Sequence, residues 1–130
     1  MVYLDSSVVL AHLLSEDRIP TDVLLDQPLA SSRLMEYEVR QRFHSSVPSM
    51  DPTLLEPVFE RVAFVELVHD VVFRSGSAFP VPVRTLDALH LATADFLRVQ
   101  GARVSVATYD VRMSHAAQAM GFELFDLGPD

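Results

Sequence analysis

The chain of 130 residues has no cysteine and no lysine. Without cysteine there is neither a disulfide framework nor a thiolate metal site. Without lysine there is no Walker-type phosphate loop and no Schiff-base chemistry. All ten basic residues are therefore arginine. No apolar run approaches the ~18 residues of a membrane span, so no contact with a membrane is expected. Met1-Val2-Tyr3-Leu4-Asp5 reaches an acid at once, so no secretion signal is expected and the cytoplasm is the natural compartment. Internal repeats, low-complexity tracts and an obvious linker are absent too.

What is present is a greasy, acidic chain. Apolar residues make up 49%, enough for a substantial core and too many for disorder. The length points to one domain over residues 1–130. A net charge of −8 disfavours a general nucleic-acid binder, which carries a positive footprint. It leaves room for an enzyme that meets nucleic acid through bound metal.

Three short apolar runs each end in an aspartate: Val2-Tyr3-Leu4-Asp5, Val83-Arg84-Thr85-Leu86-Asp87 and Val104-Ser105-Val106-Ala107-Thr108-Tyr109-Asp110. A carboxylate just past a buried run sits at the rim of the core. If the rims coincide, the cluster costs stability unless a cation fills it. The competing reading is that each acid only caps a helix or fills a turn.

Strands alternate with helices along the chain. Strands are expected at Val2 to Leu4, Pro28 to Ser32, Ala63 to Leu67 and Val104 to Ala107, with an edge-like strand from Glu123 to Leu127. Helices are expected from Ser6 to about Leu14, Pro20 to Asp26 and Arg33 to about Ser45, the last with Met35, Val39 and Phe43 on one stripe. Another runs from Asp51-Pro52 to about Val62, with Leu55 and Phe59 inward, and a short one from His69 to Ser75. Phe79-Pro80-Val81-Pro82-Val83 must be extended. Thr85 is read as the cap of a helix that carries Leu89, Ala92, Phe96 and Val99 at helical spacing and ends at Gly101. A final helix runs from Val111 to Met120 with Met113, Ala116 and Met120 inward, closed by Gly121.

Alternation of this kind is the signature of an α/β fold with a parallel sheet covered on both faces. Its functional crevice lies beyond the carboxyl ends of the strands. Asp5 and Asp110 both follow strands, and Asp87 falls in the first turn of a helix. Hard divalent ions take oxygen ligands of this kind. A fourth acid is expected from the helix that begins near Arg33; Glu36 and Glu38 both qualify by geometry.

These segments resemble the PIN-domain ribonucleases, specifically the VapC toxin halves of bacterial VapBC toxin–antitoxin pairs. The matching stretches are Tyr3-Leu4-Asp5-Ser6-Ser7-Val8-Val9-Leu10, Ser31-Ser32-Arg33-Leu34 with Glu38-Val39-Arg40, Thr85-Leu86-Asp87-Ala88-Leu89-His90-Leu91-Ala92-Thr93-Ala94, and Ala107-Thr108-Tyr109-Asp110-Val111-Arg112-Met113. Each motif alone is loose, but the ordered set spans nearly the whole chain and is quite specific.

The resemblance implies a PIN-like three-layer α/β/α sandwich with a central parallel sheet of four to five strands. It implies a magnesium- or manganese-dependent endoribonuclease, the toxin of a type II system, with Asp5, Glu38, Asp87 and Asp110 as catalytic acids and metal ligands. Glu38, followed by an aliphatic residue and then Arg, matches the family glutamate; Glu36 does not. Ser6 and Thr108 are implied as hydroxyls that bond the acids or the nucleophilic water. Some members carry a further acid just beyond the last aspartate. Val111, Arg112 and Met113 follow here, so the resemblance does not extend to a second metal site. Implied partners are a cognate VapB-type antitoxin, an RNA substrate such as tRNA or rRNA, and a second copy in a homodimer. Leu13, Leu14, Val23 and Leu24 are candidates for the antitoxin's groove.

Arg33, Arg40, Arg42, Arg84 and Arg112 lie near the rim elements, where a guanidinium could grip phosphate bidentately. Arg40, Arg84 and Arg112 are the leading candidates for RNA or antitoxin contacts. The five histidines are scattered and are read as structural. The alternative function is a housekeeping PIN nuclease of RNA processing without an antitoxin. Receiver domains also place acids at parallel strand ends, but they need an acid beside the first strand's aspartate and a lysine. Haloacid-dehalogenase-type phosphatases want an aspartate where Ser7 stands. An inert module whose acids only cap helices would bind no manganese.

Overall fold

The structure is a computed structural model, and it describes residues 1–14 and 22–128. Its centre is a five-stranded sheet: β1 (Val2–Leu4), β2 (Leu29–Ser32), β3 (Val62–Val65), β4 (Ser105–Ala107) and β5 (Glu123–Leu124). The order is β3-β2-β1-β4-β5, and every neighbouring pair is parallel. The helices are α1 (Ser6–Leu14), α2 (Asp22–Leu25), α3 (Arg33–Ser46), α4 (Glu56–Phe59), α5 (His69–Ser75), α6 (Thr85–Val99) and α7 (Val111–Ala119).

The order of the strands determines where a ligand fits. From β1 the chain steps outward to β2 and β3, then crosses back to place β4 and β5 on the other side. The loops after β1 and β4 therefore diverge, and open α/β sheets bind their ligands at such a switch point. Asp5 follows β1, and Thr108 to Asp110 follow β4.

Two apolar layers flank the sheet, as period-2 alternation in the strands requires. Val2 and Leu4 pack with α1, α3 and α4 through Val8, Met35, Val39 and Phe59. Tyr3 points to the other face, where Leu91, Ala94, Met113 and Ala117 of α6 and α7 cover it. The result is the α/β/α sandwich that the alternation implied.

Boundaries moved where local chemistry overrode periodicity. The segment expected as one helix from Pro52 to Val62 is a 3-10 turn over Pro52–Leu55 followed by α4. Pro57 has no N–H to continue the ladder, so the first turn closes tightly and the helix is short. Asp51 still caps it, accepting from the Thr53 N–H at 2.9 Å. The following strand begins at Val62 and ends at Val65, earlier than the sequence indicated. Arg84, not Thr85, occupies the cap position of α6. Of the expected inward stripe on α6, Val99 is 76% exposed, while Ala88 and the run from His90 to Ala94 are buried. This helix is packed by β2 and by α5 together, so its buried arc is wide and stops before the last turn. Of the helix expected from Pro20, residues Asp22–Leu25 are observed, and Pro20 and Thr21 lie outside the described residues.

Candidate active site

Asp5, Glu38, Asp87 and Asp110, distant along the chain, line a single cleft of about 670 Å³ at the carboxyl edge of the sheet. The structure also separates the two glutamates that the sequence left equivalent. Glu36 is turned away and paired with Arg33 at 2.6 Å and Arg40 at 2.9 Å. Those guanidiniums, Arg40 foremost, hold its carboxyl below the usual range. Glu38 faces the cleft.

Asp5 is buried, with 5% of its surface exposed. It stands between β1 and the first turn of α1, so its Oδ1 accepts the Ser7 N–H at 3.1 Å. The Ser7 hydroxyl donates to the same oxygen at 2.5 Å, and the Thr108 hydroxyl donates to Oδ2 at 2.5 Å. Both hydroxyls are in turn held by the loop after β4: Tyr109 N–H donates to Ser7 Oγ and Asp110 N–H to Thr108 Oγ1, each at 3.0 Å. The hydroxyl expected of Ser6 is thus supplied by Ser7. Capping geometry folds the second residue of the helix, not the first, back over the carboxylate, and Ser6 instead lines the cleft. Thr108 stands where the sequence placed it.

Burial pushes the Asp5 carboxyl up from its ordinary value, and the Ser7 and Thr108 bonds offset part of that. Asp87 is raised too, first by desolvation and then by the charge of Asp110, with Glu38 adding to it. Asp110 caps α7, accepting from the Arg112 N–H at 2.8 Å and the Met113 N–H at 3.1 Å, both on Oδ1. Capping and cleft lining are therefore not alternatives here: Asp5 and Asp110 each accept from backbone N–H groups of a helix's first turn and each line the cleft.

The donor chemistry suits a hard dication. The cleft offers carboxylate oxygens and hydroxyls, the ligand types that magnesium and manganese take. Oδ1 of Asp5 already accepts two hydrogen bonds and Oδ2 accepts one, so Oδ2 keeps one acceptor site. The repulsion between Asp87 and Asp110 is the kind that a cation relieves. Among the described residues, however, no three Asp, Glu or His side chains are gathered tightly enough to enclose an ion. The acids share a cleft rather than a point, and any ion there would keep several waters, as magnesium commonly does.

The chain is 31% identical over 126 residues to ribonuclease VapC46 of Mycobacterium tuberculosis strain H37Rv, covering 92% of both chains. It is 31% identical over 129 residues to ribonuclease VapC35 of the CDC 1551 strain of that species, again 92% of each. The chain belongs to the VapC ribonuclease family. No protein-family model matches it. Among solved structures, a toxin-antitoxin complex from Klebsiella pneumoniae superposes with a TM-score of 0.66 over 92% of this chain and 94% of that one. The identity there is 15%, so that likeness speaks for the PIN-like fold alone.

In this VapC-family cleft the arginines sort themselves. Arg40, a leading candidate for RNA or antitoxin, is committed to Glu36 and Glu56 and lies 4.9 Å over the Phe59 ring. Arg33 is paired with Glu36 and Glu66 over Phe64. Glu36 of α3, Glu56 of α4 and Glu66 just after β3 capture them both. Arg42 and Arg84 line the cleft itself, Arg112 borders it beside Arg84 and Asp87, and none of the three forms an ion pair among the described residues.

Sequence reasoning also passed over His90. It is 3% exposed and bridges Tyr3 and Glu38. Its spacing three residues after Asp87 was the available signal, but a buried helix face offered an equally good home. Nothing in the spacing of Tyr3 and Glu38 announced the contact.

Proposed function

We propose that the protein is a magnesium- or manganese-dependent endoribonuclease that acts as the toxin of a type II toxin–antitoxin pair in the cytoplasm. The observation that carries this reading is the meeting of Asp5, Glu38, Asp87 and Asp110 in one cleft, in a chain of the VapC ribonuclease family. No helix among the described residues is long and apolar enough to cross a membrane, which agrees with a cytoplasmic substrate.

Asp5, Asp87 and Asp110, with Glu38, would hold the ion. When bound, magnesium or manganese supplies a more acidic water and neutralises charge developing on a phosphodiester. The chain's own residues do the rest. Ser7 and Thr108 fix the Asp5 carboxylate against rotation through bonds anchored in the β4–α7 loop. Arg42 and Arg84 stand on the cleft wall, without an ion pair among the described residues, and their guanidiniums can take the phosphates flanking the scissile bond. With a net charge of −8 the chain repels RNA overall, so these cations, together with a bound ion offsetting the four acids, would be what admits RNA to the cleft.

An antitoxin is the proposed inhibitor. A cationic side chain of its segment would neutralise the acids in place of the metal. Its apolar residues have a groove of about 200 Å³ between α1, α2 and α4, lined by Val8, Val9, Leu24, Leu25 and Val58 among others. Of the residues expected in that groove, Leu24 lines it while already 2% exposed, and Val23 is 58% exposed nearby. Leu13 and Leu14 pack partly against the core.

Incubation of the purified protein with total cellular RNA and manganese, followed by mapping of the cut ends, tests the activity. Discrete metal-dependent ends are expected, and intact RNA in magnesium and in manganese overturns the reading. Growth arrest on expression, relieved by the product of an adjacent small reading frame, separates a toxin from a housekeeping nuclease. Arg42→Ala and Arg84→Ala should each weaken RNA binding across sequences and lower the salt slope by about 0.7. Arg33→Ala, whose charge is already paired, should leave that slope unchanged in the same titration.

A further inference from the structure

His90 touches, through one ring, the elements that carry three of the four acids. Its Nε2 lies 2.7 Å from Glu38 Oε1 of α3. Its Nδ1 lies 2.7 Å from the Tyr3 hydroxyl of β1, two residues before Asp5. Its own backbone is on α6, one turn beyond Asp87. The ring also stands edge-on to Tyr3, with centroids 5.9 Å apart. Both His90 and Tyr3 are buried, at 3% and 1% exposure; His90 forms part of the cleft wall beside Glu38.

The Glu38 carboxylate dictates one proton position. A carboxylate only accepts, so Nε2 carries a hydrogen and donates to Glu38. The Tyr3 hydroxyl, which can donate or accept, lies within hydrogen-bond distance of Nδ1 and holds the other side of the ring. Other protons nearby are spoken for: Ser31 Oγ donates to the Leu4 carbonyl and Thr93 Oγ1 to the Leu89 carbonyl. No buried side-chain polar atom is left without a partner among the described residues. The Tyr3–His90–Glu38 chain thus leaves no gap, and its Glu38 end has a fixed direction, with the ring donating.

We infer that His90 is a positioning residue that ties Glu38 to β1 and α6, aligning it with Asp5 and Asp87 for the cation. The inference rests on the metal-site reading above and deepens it. Glu38 is partly buried at the cleft wall, with a long, flexible side chain; without the bond its carboxylate is free to turn to water or to Arg42, which lines the same cleft. With the bond, Oε1 is held by the ring and Oε2 is left to face a ligand. Partners that orient a metal-binding group in this way commonly change affinity about 10- to 100-fold when removed.

Two amide variants separate positioning from packing. The nitrogen of Gln reaches the position of Nε2 and can still donate to Glu38, whereas that of Asn falls short, near Nδ1. Manganese binding should be measured by calorimetry in wild type, His90→Gln, His90→Asn and Tyr3→Phe, with thermal unfolding alongside. His90→Asn is expected to bind manganese about 10- to 100-fold more weakly, and His90→Gln to stay much closer to wild type even where both variants lose similar stability. Tyr3→Phe should give an intermediate loss. The nitrogen spectrum of wild-type His90 should show a hydrogen on Nε2, and Glu38→Gln should shift that signal. Equal manganese affinity in wild type and His90→Asn, or an Nε2 that carries no hydrogen, overturns the inference. No manganese binding by the wild-type protein removes the metal reading itself, and the proposed use of the bond falls with it.

Discussion

Asp5→Asn is expected to abolish RNA cleavage, by about 10³-fold or more, while leaving the fold as stable as before or slightly more so. The loss follows from the chemistry: a metal ion contributes several kcal/mol of charge stabilisation in such reactions, and about 4 kcal/mol corresponds to a thousandfold. The retained fold follows from the geometry. An asparagine oxygen can accept from the Ser7 N–H and hydroxyl as Oδ1 does now. Its amide can donate to Thr108 Oγ1, which accepts one bond from Asp110 N–H and has room for another. What disappears is a buried negative charge, whose desolvation already disfavours the ionised form. Cleavage assays with manganese and thermal melts on the same preparation check both halves. Wild-type cleavage by this variant would remove Asp5 from the reaction. A collapsed fold would mean that the hydroxyl clasp, rather than the cation, is what the carboxylate serves.

The second large effect is on stability. Saturating manganese should raise the melting temperature by about 10 °C at a hundredfold excess over its Kd, because about 2.7 kcal/mol of binding free energy is then linked to folding. Asp5→Asn and Asp87→Asn should lose most of that gain. In chelator, the pH dependence should run in the opposite sense to that of a salt-bridged carboxylate. Asp5 and Asp87 both have folded pKa values raised above the unfolded one. Between the unfolded value, near 3.9, and the raised folded value, the native state holds more protons than the unfolded chain. Stability therefore falls as pH rises through that window and levels off above it. Lowering the pH from neutrality into the window should stabilise the metal-free wild type, and each asparagine variant should flatten its own share. Melts in chelator and in manganese across this range test the account. A melting temperature indifferent to manganese would mean that these acids repel one another without a cation to join them.

Much of this was legible along the chain. Val2-Tyr3-Leu4, Pro28 to Ser32 and Val104 to Ala107 read as strands because short apolar runs bounded by turn residues have few other uses, and the observed strands start one residue later in the last two. Asp5 and Asp110 fell at strand ends because the run of buried residues stops there. Met35, Val39 and Phe43 identified the inner face of α3 correctly, since that helix packs on one side only. The same reasoning misplaced the stripe on α6, which is covered by β2 and α5 at once. Pro57 was visible but its effect was not: whether a proline ends a helix or restarts it depends on what the neighbouring turn can pack against.

The site was less legible than the fold. Glu36 and Glu38 flank the same stripe, and only the positions of Arg33, Arg40 and Glu56 in space show which one is captured by surface pairs. Ser6 and Ser7 are adjacent hydroxyls, and which of them covers Asp5 depends on the direction in which α1 leaves the sheet. Arg40 and Arg84 looked alike in sequence, yet one is stacked and doubly paired while the other lines the cleft.

The order of residues alone settled that this is an alternating parallel α/β chain without thiol or lysine chemistry, with acids at the ends of its apolar runs. Those properties depend on neighbours within a few positions, which is the range over which period and turn chemistry act. Only the folded molecule decided which acids face one another, which hydroxyls hold them, and that a histidine from α6 joins β1 to α3. Those contacts span 52 to 103 positions of sequence separation, and no local preference can specify a distance that the packing of three layers creates.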